Sequence, residues 1–119
     1  MKNADLFTEL VATYHKYGWE LRRALLRPAT LAELQSEELL KNVPVKEAAV
    51  DALWFSRPSH DNREAWELRL LAQTQYALFE AFEPDETEEE REDLRLEMEA
   101  RMRDYALGPT DSTNQNGFK

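Results

Sequence analysis

The chain has 119 residues, and its 24 Asp and Glu against 15 Lys and Arg give a net charge of −9 at pH 7. A field of this sign repels nucleic-acid backbones and anionic lipid, so we expect neither nucleic acid nor a membrane among the partners. The sequence has no Cys, no stretch near the roughly 20 apolar residues of a membrane span and no signal-peptide pattern, so it predicts a disulfide-free, single-domain cytoplasmic protein.

The first predicted element is a long amphipathic helix from about Ala4 to Arg27. Cations among the last turns of this segment suit the negative end of a helix dipole, and Pro28 is expected to end the helix. Apolar residues recur at spacings of four and three, which is typical of one helical face: Leu6, Leu10, Tyr14, Tyr17, Leu21 and Leu25.

A short second helix is predicted to begin at Thr30. Thr30 and Glu33 have the spacing of a capping box, and Asn42 and Pro44 are expected to end the helix. The following sequence VPVKEAA is compatible with a loop, a helical turn or the lead-in to a strand.

Residues 50–82 are rich in large apolar side chains and allow two interpretations. As a single helix, residues 62–82 would be apolar almost all round, and a domain of this size has little material to bury such a rod. As strands, Trp66, Leu68 and Leu70 alternate with polar residues, and the turn-forming sequence PSHDN precedes them. The pattern therefore favours three antiparallel strands, with an all-α bundle as the alternative.

The register of these strands decides which side chains emerge from the sheet. A tight turn at Gln73–Thr74 would place Leu68 opposite Phe79, with both on one apolar face. In the preceding hairpin, two registers remain open. If Trp54 shares a face with Trp66, then Leu53 and Phe55 point outward; if Phe55 does so, Trp54 points outward.

The last predicted helix begins after a capping box at Thr87 and Glu90 and ends at Gly108 and Pro109. Residues 1–107 are expected to form one domain, and residues 108–119 a disordered tail. The predicted fold is α+β in the order α-α-β-β-β-α. Two long helices and one short helix pack on a three-stranded antiparallel sheet, which would leave one sheet face and two edges open.

Few residues suggest catalytic or metal chemistry. His15 and His60 are the only imidazoles, and neither lies in a metal-binding motif. The sequence lacks a nucleophile elbow and a glycine-rich phosphate loop. We therefore predict no catalytic residue, no cofactor and no metal ligand.

The acidic segment at residues 80–93 holds nine acidic residues and one Arg, a net charge of −8. The simplest interpretation is a solvated helix start, where acids suit the helix dipole. The alternatives are a surface for a basic protein partner and a cation site, although the segment lacks the pattern of a calcium loop.

The sequence favours a non-catalytic protein-interaction module, such as an adaptor, a chaperone or an immunity-like protein, that forms a homodimer. Its predicted contacts with a partner are Leu53, Trp54 and Phe55 on the sheet and Glu88, Glu89 and Glu90 at the helix start, the latter steering a basic partner. The alternative is a small enzyme or ligand-binding domain. Its pocket would lie between the first helix and the sheet, with four candidate residues: Tyr14, His15, Trp66 and Arg69.

Overall fold

The computed structural model describes residues 2–108, which form a mixed five-stranded sheet with helices on both faces. Two short 3-10 turns cover Glu38–Leu40 and His60–Asn62. The helices and strands, in chain order, are α1 Asn3–Lys16, β1 Glu20–Leu26, α2 Pro28–Leu34, β2 Val45–Glu47, β3 Ala52–Pro58, β4 Glu64–Leu70, β5 Ala77–Phe82 and α3 Glu88–Leu107.

The strands lie in the order β2-β1-β3-β4-β5. β1 and β2 are parallel, and α2 belongs to the crossover that a parallel pair requires; the other neighbours are antiparallel. One core lies between the sheet and α1 with α2, on what we call the α1 face. A second core lies under α3, on the α3 face. The α+β prediction is confirmed and the all-α alternative is wrong, but the sheet has five strands and both faces are covered.

The predicted first helix is too long, because α1 ends at Lys16 and residues 20–26 form β1. Gly18 adopts φ +89°, a conformation that turns the chain out of the helix and that side chains with a Cβ rarely adopt. Leu21 and Leu25 keep a helical spacing by coincidence. Pairing with β3 overrides the helix propensity of these residues.

The second helix begins at Pro28, so Thr30 is not its cap. The hydroxyl of Thr30 instead donates to Asp51 at 2.7 Å. The same carboxylate accepts from the backbone N–H of Arg27 at 2.8 Å and from its guanidinium at 2.9 and 3.0 Å. Asp51, next to β3, thereby satisfies a free N–H group at the start of α2.

The prediction that residues 50–82 double back as strands is confirmed by β3, β4 and β5. Trp54 and Trp66 share the α3 face, with ring centroids 5.8 Å apart. Leu53 and Phe55 therefore point to the other side, as the first of the two registers requires. That side is not open, however, because α1 packs against it.

The predicted register of β4 and β5 is wrong by one residue. The connection from Leu70 to Ala77 is longer than a two-residue turn, and Leu68 pairs with Leu78 instead of Phe79. Phe79 lies opposite Glu67 and points to the α1 face. This shift decides which aromatic side chains of β5 reach the surface.

The last helix matches its prediction closely. Thr87 and Glu90 form the capping box, with bonds of 2.8 and 3.1 Å, and Gly108 ends α3 at φ +83°. The predicted disordered tail lies outside the described residues from position 109 onward. No helix within residues 2–108 combines the length and the apolar character needed to cross a membrane.

Candidate functional site: an aromatic groove beside an edge strand

The apolar residues predicted to contact a partner lie in the interior. Leu53, Trp54 and Phe55 are each 0 % exposed, two of them packed under α1 and the third under α3. The chain's own helices therefore cover both faces of β3. An apolar sheet face built from these three residues is not present at the surface.

The four pocket candidates do not form one site. Tyr14 and Arg69 lie together between α1 and the sheet. His15 is exposed, and Trp66 lies on the α3 face, separated from Tyr14 by the sheet. Only two of the four candidates are therefore close enough to act together.

A groove does exist near Tyr14, where the end of α1 meets the sheet. Its volume is about 290 Å³. We call it the aromatic groove, and its walls are formed by Thr13, Tyr14, Tyr17, Trp19, Arg57 and Glu67. The turn at Gly18 builds the groove, because it brings Trp19 back over the sheet beside the helix it has just left.

Tyr14 is fixed in this groove by stacking and by a hydrogen bond. Its ring stacks on Phe55 with centroids 4.0 Å apart, and its hydroxyl donates to Glu67. Burial, with the hydrogen bond to the Glu67 carboxylate and its charge, raises the pKa of Tyr14 to about 12, against a smaller opposing effect of Arg69. The phenol therefore keeps its proton at neutral pH.

Arg57 closes the opposite side of the groove. Its guanidinium lies 4.5 Å from the ring centre of Trp19, an attractive cation–π geometry. It also donates to the backbone carbonyl of Tyr17 at 2.6 Å. The Gly18 turn is thus held in place by Arg57, a residue from the end of β3.

Two large aromatic side chains beside the groove are exposed. Tyr17 is 62 % exposed and Phe79 56 %, and Phe79 packs edge-on against Trp19 with centroids 6.4 Å apart. Both were missed by sequence reasoning, which placed Tyr17 on the buried stripe of a longer helix and Phe79 on the inner face of the sheet. Gly18 was the one feature of the sequence that could have shown that the helix ends before Trp19, which leaves Tyr17 outside the buried stripe.

Phe79, which packs against the groove residue Trp19, belongs to β5, and the outer edge of β5 has no neighbouring strand among residues 2–108. β5 carries one charged residue, Glu80, in the sequence ALFEAF. The opposite edge strand, β2, is only three residues long; all three residues are exposed, and two of them are the charged Lys46 and Glu47. Short, charged edges resist pairing with other chains, whereas longer apolar edges favour it.

The predicted acidic contacts lie at the start of α3 and serve partly as structural groups. Glu88 pairs with Arg95, which is only 1 % exposed. Glu90 completes the capping box, and Glu89 is exposed. The acidic run is therefore partly a set of counter-charges and caps for α3.

Arg95 is the charged residue that sequence reasoning missed in this helix. Its guanidinium packs over the rings of Trp66 and Phe82, at 4.4 and 5.6 Å. Glu92 accepts from Arg95 at 3.0 Å and pairs with Arg23 at 2.9 Å. Although burial alone would raise the pKa of Glu92, the hydrogen bonds from Arg23 and Arg95 hold it below its ordinary value.

A group of exposed acids near the start of α3 forms what we call the acidic surface. All are exposed: Asp85, Glu89 and Asp93, with Glu83 beside them in an ion pair with Arg63. The acidic surface begins just after β5 in the chain, at the start of α3, whereas the aromatic groove lies on the α1 face of the sheet.

Within the described part of the chain, no three His, Asp or Glu side chains cluster in a way that could hold a metal ion. Comparison of this chain with protein-family models, with curated proteins and with solved structures finds no match.

Proposed function

We propose that this protein is a non-catalytic protein-interaction module that binds its partner along the β5 edge and in the aromatic groove. One observation carries this proposal: Phe79 and the groove residue Tyr17 are mostly exposed, and Phe79 lies on a strand whose outer side has no partner strand within residues 2–108. Aromatic residues are enriched at protein interfaces, where they bury much area for little loss of conformational freedom. An added strand would supply main-chain hydrogen bonds, and the groove would supply side-chain selectivity.

The electrostatics of the groove support binding more than acid–base chemistry. Tyr14 is its most perturbed titratable group, and a pKa of about 12 leaves it protonated at neutral pH. A general acid or base works best with a pKa near the working pH. Tyr14 instead has the properties of a rigid wall, fixed by Phe55 and Glu67.

The acidic surface contributes steering. Exposed charges of one sign raise the rate at which oppositely charged partners arrive. Because Asp85, Glu89 and Asp93 follow β5 in the chain, a basic protein attracted to them would approach the region where β5 leads into α3. This steering weakens as salt rises, since ions screen exposed charges beyond about 8 Å at physiological ionic strength.

A ligand-binding function remains a second candidate, because the groove lies between α1 and the sheet and includes Tyr14, Arg57 and Glu67. Its volume of about 290 Å³ is at the small end for ligand sites. A small ligand would fill the groove without touching the outer edge of β5. A partner protein would cover both the groove and the outer edge of β5. Protection of the β5 edge on binding therefore distinguishes a protein partner from a small ligand.

The test replaces Phe79 by a photo-crosslinking phenylalanine derivative in the cells that naturally make the protein. Position 96 is the matched control, because Leu96 is also an exposed apolar residue, 44 % exposed, but lies on α3. Illumination is expected to attach a protein at position 79 and much less at position 96. The proposal fails if position 79 attaches no protein, neither a second copy nor another chain, or if both positions give the same products.

A further inference from the structure

The two edges of the sheet differ in how well they are protected. β2 ends the sheet with three exposed residues, two of them charged. β5 ends it with six residues that include one charge, and its α1 face displays Ala77 and the exposed Phe79. An unprotected apolar edge of this length is a template for another strand.

From this contrast we infer that the occupant of the β5 edge is a second copy of the chain, paired antiparallel through β5 so that Phe79 lies opposite the partner subunit's Phe79. This inference rests on the proposed function: it assigns the β5 edge to a second copy, so that a basic protein would have only the acidic surface as its site. The two sheets would join into one continuous sheet of ten strands, with the two-fold axis passing between the two Phe79 residues.

The register follows from face matching and charge. Directly opposite residues of an antiparallel pair point to the same face, and the α1 face of one copy continues into the α1 face of the other around a two-fold axis. Two such registers overlap five residues of β5. One centres on Phe79 and the other on Glu80, and the second places two like charges directly opposite each other, which is destabilising.

The register centred on Phe79 also matches side chains well. Ala77 lies opposite the partner's Ala81, and Leu78 lies opposite the partner's Glu80, so no like charges face each other directly. Within one chain, the rings of Trp19 and Phe79 already pack edge-on, with centroids 6.4 Å apart. The second copy would extend this contact into an aromatic row that crosses the axis, and cross-strand aromatic pairs stabilise sheets.

The net charge of −9 per chain opposes this pairing at long range. Screening by salt reduces that repulsion, so the dimer is expected to tighten as salt rises. A foreign basic partner held by the acidic surface would show the opposite trend and weaken. Salt dependence therefore distinguishes self-pairing from capture of a basic protein.

The absence of Cys makes a direct test of the register possible. Single substitutions Phe79→Cys, Glu80→Cys and Ala81→Cys are oxidised under identical mild conditions, with Val45→Cys on the β2 edge as the control. Opposite Cβ atoms in a sheet are about 5 Å apart, close to disulfide geometry. Position 79 is expected to form disulfide dimers at least tenfold faster than the other three, because the two copies of position 81 would be about 14 Å apart along the strands.

The unmodified chain is measured in parallel by sedimentation equilibrium over a range of protein and salt concentrations. The inference is supported if the measured mass rises with protein concentration to twice the monomer mass. The concentration at which the mass doubles should be lower in higher salt. A monomer at every concentration up to about 1 mM overturns it, as does fastest cross-linking at position 80 or equal rates at all positions. If position 79 captures a different protein in cells while the pure chain stays monomeric, the proposed function stands and self-pairing falls.

Discussion

The guanidinium of Arg95 lies 4.4 Å from the ring centre of Trp66, so a buried cation covers an aromatic ring at the middle of the α3 face. Glu88 and Glu92 neutralise this cation from the first turns of the same helix. The acidic start of α3 and the core beneath it are thus one electrostatic unit. A partner that binds the acidic surface would contact the exposed acids that do not pair with Arg95.

Replacing Arg95 is expected to separate packing from charge. Arg95→Ala removes the contact with Trp66 and leaves a cavity, which should cost about 3 kcal/mol in the free energy of unfolding. Arg95→Met keeps most of the volume and should cost less than half as much, since one nitrogen of Arg95 lacks a hydrogen-bond partner among the described residues. Urea unfolding measures both, with the exposed Arg101→Ala as a control near zero. Equal losses for Ala and Met would contradict the packing role.

Glu99 is expected to matter through Trp54 more than through its ion pair. Its carboxylate accepts from the indole N–H of the fully buried Trp54 at 2.9 Å and from Lys46 at 2.7 Å. Glu99→Ala leaves a buried donor without a partner, at a cost of about 1–3 kcal/mol. Lys46→Ala removes only an exposed partner and should cost less than about 1 kcal/mol. The order of the two losses in thermal or urea unfolding is the check, and a larger loss for Lys46→Ala would refute it.

Tyr14 is expected to make the protein less stable in strong alkali. Its pKa is raised from 10.0 in the unfolded chain to about 12 in the fold. The fold therefore favours the neutral phenol, a contribution fully present below pH 10 and lost as pH rises through about 12. Tyr14→Phe should remove this alkaline loss and the matching phenolate absorbance change. A variant that keeps the full alkaline loss would assign it to another group.

Glu92 is expected to make the protein less stable in acid, the opposite pH dependence to that of Tyr14. Its folded-state pKa is lowered from 4.5 through the hydrogen bonds of Arg23 and Arg95, against the effect of burial. The fold therefore favours the carboxylate, and this contribution is present above pH 4.5 and lost as pH falls through the lower folded-state value. Glu92→Gln should be less stable than the unmodified chain at neutral pH, and the gap should narrow on acidification. A gap that stays constant with pH would show that Glu92 acts without its charge.

Sequence periodicity predicted the secondary structure where the local pattern and the tertiary contacts favour the same element. The three strands of residues 50–82 and the capped start of α3 both follow from alternation, turn residues and a capping box. Periodicity failed at residues 20–26, where good helix formers lie in a strand because β3 pairs with them. Only the positive φ of Gly18 marks that boundary, and a single glycine is a weak sequence signal.

The candidate site was harder to predict because it depends on register. One residue of slip in β5 moves Phe79 from the predicted inner face to the α1 face, where its side chain is exposed. The six-residue connection before β5 gives no sequence rule for that choice. Of the four pocket candidates, Tyr14 and Arg69 lie together between α1 and the sheet. The groove itself needs Trp19 and Arg57, whose proximity follows from long-range strand pairing that one sequence does not reveal.

The most direct measurement of the proposed surface uses charge complementation at its centre. Phe79→Glu and Phe79→Lys are each expected to be monomeric in light scattering, because like charges would then lie directly opposite each other. An equal mixture of the two variants should form a one-to-one dimer, while the same pair of substitutions at Leu96 leaves dimerisation unchanged. A mixture that stays monomeric, or single variants that dimerise as well as the unmodified chain, would contradict an interface centred on Phe79.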